Sequence, residues 1–118
     1  RGGTSKALMF HLRDLPDQQD LWPDLFISAI GAGDPYGRQL NGMGGGISSL
    51  SKVCVISQSV RPDADVDYWF FQLSPQNRIV DSSASCCNMP AAVGPVLSLL
   101  DTVLPPRTHR RSCLLMSY

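Results

Sequence analysis

Ser85-Cys86-Cys87-Asn88-Met89-Pro90-Ala91-Ala92-Val93-Gly94-Pro95-Val96-Leu97-Ser98-Leu99-Leu100 decides the fold. From about Asn88 the run predicts a helix that is apolar on most faces, through Met89, Ala91, Ala92, Val93, Val96, Leu97, Leu99 and Leu100. Such a helix belongs inside a domain, and strands wrapped round it would satisfy it. Pro95 removes a helix bond at a cost of up to ~3 kcal/mol, which burial offsets unless the helix kinks there. Cys86 stands just before the helix, near backbone N–H groups without intrahelical partners and the positive end of the macrodipole. Both favour thiolate over thiol, so Cys86 is a candidate acid, base or nucleophile.

Upstream, the apolar run Lys6 to Leu12 reads as a first strand, and Leu15-Pro16-Asp17 as a turn. Leu21, Trp22, Leu25, Phe26, Ala29 and Ile30 recur at helical spacing. Asp20 is placed to cap that helix, Pro23 fits its first turn, and Gly31 ends it. Ala32 to Gly46 is a long glycine-rich loop, a length usually functional or disordered. It leads through Ile47-Ser48-Ser49-Leu50-Ser51 to Lys52. Lys52 to Ser57 and Val66 to Leu73 are β-branched and aromatic strands, and Arg78 to Asp81 a short one. A glycine loop ending in lysine, with a polarised cysteine further on, suggests a site that holds an anion and moves a proton.

The totals narrow the function. The chain has 118 residues, ten basic and ten acidic, which fits one small domain and gives no electrostatic case for nucleic acid or a lipid surface. No apolar stretch approaches the ~20 residues of a membrane span. No secretory signal opens the chain, and four cysteines without C-x-x-C spacing argue for a reducing cytoplasm and against structural zinc. Ser49-Leu50-Ser51-Lys52 matches S-x-x-K, but a strand follows at once where penicillin-binding enzymes have a helix. Arg107, Arg110 and Arg111 cluster positive charge in a stretch with no pattern.

Five motifs occur in order: Arg1-Gly2-Gly3-Thr4-Ser5-Lys6, Gly44-Gly45-Gly46 with Ser51-Lys52-Val53, Asp65-Val66-Asp67-Tyr68 with Gln72, Cys86-x-Asn88-Met89, and Ala92-Val93-Gly94-Pro95. Together they resemble the PrpF-like family of methylaconitate cis-trans isomerases and oxalomesaconate tautomerases, over residues 1–95. The resemblance implies an α+β fold of the diaminopimelate epimerase type. Two similar halves each wrap a mixed, mostly antiparallel sheet round a central helix, with the active site between them. This chain resembles the N-terminal half-domain, and residues 96–118 are expected to hold the end of the central helix and an aberrant, frameshifted or truncated tail. An unpaired half exposes apolar surface, so self-association is expected. Where the family commonly has Asn-Cys-Gly-Asn, this chain has Ser85-Cys86-Cys87-Asn88.

The resemblance implies a cofactor-independent isomerase acting on a small unsaturated tricarboxylate. It maps the active-site lysine to Lys52, the expected base, and the cysteine to Cys86, which returns the proton or polarises the substrate. Which of the two acts first stays open. Backbone N–H groups of Gly45, Gly46 and Ile47, with the hydroxyls of Ser48 and Ser51, form a candidate carboxylate nest. Amides near Asn88 and Met89 offer a second carboxylate site. Arg1, Thr4 and Ser5 offer a third. Asn88 is equally read as a helix cap. The competing functions are a carboxylate-binding module without catalysis and, less favoured, an amino-acid epimerase.

Overall fold

A computed structural model describes the backbone of residues 1–100 and 114–116. The basic cluster at 107–111, Cys113 and most of the expected tail lie outside the described residues. A mixed sheet forms the centre, in the order β1 (Ala7–His11), β2 (Lys52–Gln58), β3 (Val66–Leu73), β4 (Val80–Asp81). β1 and β2 are parallel, as the crossover through helix α1 (Trp22–Ile30) requires, and β2, β3 and β4 run antiparallel. A last strand, β5 (Leu114–Met116), pairs parallel to β3. The fold is α+β, as expected.

Residue alternation along the strands divides the core in two. Val53, Val55 and Leu73 point to one face, where they bury Trp22, Phe26, Ile27 and Ile30 of α1. Cys54, Ile56, Val66, Tyr68 and Phe70 point to the other, against helix α2 (Pro90–Leu100) through Ala92 and Val93, with Met89 beneath the first turn. Gly31 closes α1 in the left-handed region at φ 74°, donating back to Ile27 and Ser28.

Four local expectations are corrected. Asp20 does not cap α1, because an added 3-10 turn at Gln19–Leu21 puts Leu21 in the cap position. The short strand shrinks to Val80–Asp81, because Arg78 lies in the bend that returns the chain from β3, where its side chain meets Asp24 at 3.2 Å. α2 starts at Pro90, because Cys87 to Met89 form a turn. α2 is not covered on most faces: the sheet meets one stripe, while Ala91, Gly94, Pro95 and Leu99 are exposed. The helix runs through Pro95, whose ring lies on that open side.

Candidate active site

Lys52 and Cys86 converge on the α2 side of the sheet. Lys52 opens β2, between Ala7 of β1 and Gln72 of β3. It alternates with Val53, so its side chain shares the face of Cys54 and Phe70. Lys52 is 7% exposed, with Nζ 5.4 Å from the centre of the Phe70 ring and donating to Gln72 Oε1. Among the described residues, the ion pairs are Arg13–Asp14, Arg61–Asp63 and Arg78–Asp24, so no carboxylate pairs with Lys52. A buried cation without a counter-ion favours an anion beside it.

Cys86 packs against the same cluster from the turn before α2. Burial on its own raises its thiol pKa. The Ser5 hydroxyl, the N–H groups of Asn88 and Met89 and the charge of Lys52 together outweigh that and hold it below its ordinary value. Ser5 Oγ lies 3.7 Å from the sulfur. Two neighbours behave oppositely. Burial pushes Cys54, 3.4 Å from the Tyr68 hydroxyl, up to about 11, and burial with the Cys54 contact raises Tyr68 too.

The N-terminal motif is the clamp on this turn. Gly2 and Ser5 exchange backbone hydrogen bonds of 3.0 and 2.9 Å, and Asn88 Nδ2 donates to Thr4 Oγ1 at 3.2 Å. A Cβ on Gly2 would stand 2.0 Å from the Asn88 carbonyl oxygen, so only glycine allows the two segments to meet this closely.

The expected binding residues divide accordingly. Ser5 is buried and turned to the sulfur, so it bears on Cys86 rather than on a ligand. The amides of Asn88 and Met89 also serve the sulfur, and the Met89 side chain is wholly buried in the core. Thr4 and Asn88 are exposed and tied to each other, so the Asn88 side chain is not a helix cap. Arg1, Gly45, Ile47 and Ser48 are exposed.

The carboxylate nest is corrected at two positions. Gly46 N–H donates to Gln39 Oε1 at 2.6 Å, and the buried Ser51 hydroxyl reaches the same oxygen at 2.9 Å. Both groups are spent inside the loop. Gln39 is itself positioned by Asp34, whose carboxylate accepts the N–H groups of Tyr36, Arg38 and Gln39, each at 2.9 Å.

Gln39 and Gln72 were not among the expected site residues. Gln72 belongs to the motif that begins at Asp65 and stands directly across from Lys52, so strand pairing carries the signal for it. Nothing in the sequence marks Gln39, a polar residue buried in an unpatterned loop. Two clefts of about 440 and 310 Å³ lie on the α1 side and include neither Lys52 nor Cys86.

The model of the family described as PrpF protein matches residues 1–104, continuing past Pro95 into the rest of α2. The chain belongs to the PrpF family. This PrpF chain is 48% identical over 99 residues to the 2-methyl-aconitate isomerase of Cupriavidus necator, covering 80% of the chain and 25% of that protein. To the 2-methyl-aconitate isomerase of Shewanella oneidensis it is 42% identical over 114 residues, covering 91% and 29%. To the 3-methylitaconate isomerase of Eubacterium barkeri it is 40% identical over 95 residues, covering 80% and 24%. The crystal structure of methylitaconate-delta-isomerase superposes with a TM-score of 0.82 at 34% identity, covering 99% of this chain and 30% of that one. The chain thus spans about a quarter of the length of the curated relatives it matches.

Proposed function

We propose that this chain carries the proton-moving pair of an isomerase for small unsaturated tricarboxylates of the methylaconitate type. Residues 1–95 supply the N-terminal half-domain; the second half-domain, or a further copy, closes the site. The observation that carries the reading is the buried Lys52, unmatched by a carboxylate and acting on the depressed Cys86 thiol.

In this reading the Lys52 ammonium first passes a proton to the Cys86 thiolate, and the resulting neutral amine removes an allylic proton. The C–H electron pair spreads over the adjoining double bond and a substrate carboxylate. Cys86 delivers a proton to the accepting carbon, or steadies the developing charge, and the double bond re-forms in its new place or geometry. A thiol held below its ordinary pKa suits either task. Gly45 and Ile47 N–H groups, the Ser48 hydroxyl and Arg1 remain to receive substrate carboxylates, and the scheme uses no cofactor. Among the described residues no helix is long and apolar enough to cross a membrane, and the reading places the protein in the cytoplasm with its small-molecule substrate.

The test is solvent deuterium exchange into methylaconitate, comparing the chain with Lys52→Ala and Cys86→Ser. Loss of a positioned proton-transfer group should slow exchange by about 10²–10⁴-fold. Equal exchange in all three proteins contradicts both roles. The covered quarter of the relatives' length favours one alternative, a module that binds carboxylates without turning them over. Calorimetric binding of citrate with no exchange would select it.

A further inference from the structure

We propose that Gln72 is the positioning residue for Lys52: a neutral fork that aims the amine while leaving its charge uncompensated. The proposal rests on reading Lys52 as the proton-moving base. Gln72 faces Lys52 across the β2–β3 pair. Its two Nε2 N–H groups face three carbonyl oxygens, of Ser48, Ser51 and Leu73, at 2.9, 3.1 and 3.0 Å, one N–H being shared between two of them. Carbonyl oxygens only accept, so the end of the amide that meets them is its NH2. The oxygen is thereby turned to the Lys52 ammonium, which donates to it. A flipped amide would set oxygen against three carbonyls and NH2 against a cation. Each end of the contact excludes the reversed orientation.

Two consequences follow for the chemistry. One N–H of Lys52 is held against Gln72, so the remaining positions on the nitrogen are aimed rather than rotating freely. The acceptor carries no charge. A carboxylate in its place would stabilise the ammonium and hold the proton on nitrogen, the wrong outcome for a base. The same amide also ties Lys52 to the 3-10 turn at Ser48–Leu50, which closes the glycine-rich loop. The loop that flanks the site and the amine inside it therefore share one anchor.

Lys6 and Lys52 are the two lysines of the sequence, so a 13C,15N-labelled chain has two lysine ammonium groups to resolve by NMR. A scalar correlation across the hydrogen bond, from Lys52 15Nζ to Gln72 13Cδ, is expected in the wild type, with none from Lys6. Gln72→Met should abolish it and speed exchange of the Lys52 ammonium protons with water by about tenfold or more. Gln72→Glu, which keeps an acceptor in this place, should retain a correlation to its side-chain carbonyl carbon and keep exchange of the Lys52 ammonium protons slower than in Gln72→Met. Absence of the correlation in folded wild type, or equal exchange of the Lys52 ammonium protons in wild type and folded Gln72→Met, overturns the proposal. If Gln72→Glu does not fold, the wild-type correlation and the exchange rate in Gln72→Met decide. None of these readouts needs turnover: an intact correlation without deuterium exchange into substrate removes the isomerase reading and leaves the Gln72–Lys52 device standing.

Discussion

The two faces of the sheet are made by alternate residues of the same strands, yet they are built for different ends. Under α1 the strands present Val53, Val55, Phe71 and Leu73 to Trp22, Phe26 and Ile30. Phe26 stacks on Phe10 with ring centres 5.6 Å apart and meets Phe71 at 5.0 Å, so this side is held by apolar burial and ring contacts. One residue out of step, the same strands present Lys52, Cys54, Tyr68 and Gln72 to the α2 side. There, with Cys86 added from the turn before α2, a cation, two thiols, a phenol and an amide sit among apolar neighbours. The contrast teaches that α1 stabilises the sheet, while the α2 face spends part of that stability on holding polar groups in a fixed array.

Substitutions on the two faces should separate accordingly. Phe26→Ala, in the dry layer, should cost about 3–5 kcal/mol in urea denaturation, enough to unfold much of the chain. Gly2→Ala pushes the clamp off Asn88 and should cost about 1–3 kcal/mol. It should also slow alkylation of Cys86 at neutral pH, since Ser5 and the two amides move with the clamp. Lys52→Met removes a buried unpaired charge but leaves Gln72 Oε1 without its donor, so stability should stay within about 1 kcal/mol of wild type while proton exchange is lost. A loss as large as that of Phe26→Ala would erase the distinction between the faces.

A smaller effect should appear at alkaline pH. Cys54 is raised from 9.0 to about 11 in the fold, chiefly by burial, so its neutral thiol contributes stability that is fully present below pH 9 and is lost as pH rises through about 11. In that window the unfolded chain has released a proton that the native chain still holds, so stability falls with pH. Denaturation midpoints measured across pH 8–11 should therefore fall less steeply in Cys54→Ala than in wild type. Equal slopes would place the buried thiol outside this account.

Much of the fold is legible in the residues. Lys52 to Ser57 is rich in β-branched residues and Val66 to Leu73 in aromatic ones, and β3 occupies the expected span. Gly31 ends α1 because the chain there needs a left-handed residue. Helix starts were less legible. Asp20 has the chemistry of a cap but lies inside a 3-10 turn, and Asn88 spends its side chain on Thr4, 84 positions away.

The site divides along the same line. Lys52 and Cys86 stand out through their motifs, whereas the groups that orient them come from distant parts of the chain. Ser5 meets Cys86 across 81 positions, and Gln72 meets Lys52 across 20. Local pattern carries no record of such contacts. The glycine loop misled for a related reason: its N–H groups looked free until Gln39, buried by packing rather than by any periodicity, took up Gly46 and Ser51.

The central claim is that Lys52 and Cys86 form one electrostatic unit on the α2 face. Iodoacetamide alkylation of Cys86, followed by mass spectrometry as a function of pH in wild type and Lys52→Met, tests it most directly. The account predicts that the alkylation profile of Cys86 moves to higher pH when the cation is removed, because Lys52 is one of the groups holding the thiol below its ordinary value. Superimposable profiles in two folded proteins would contradict it.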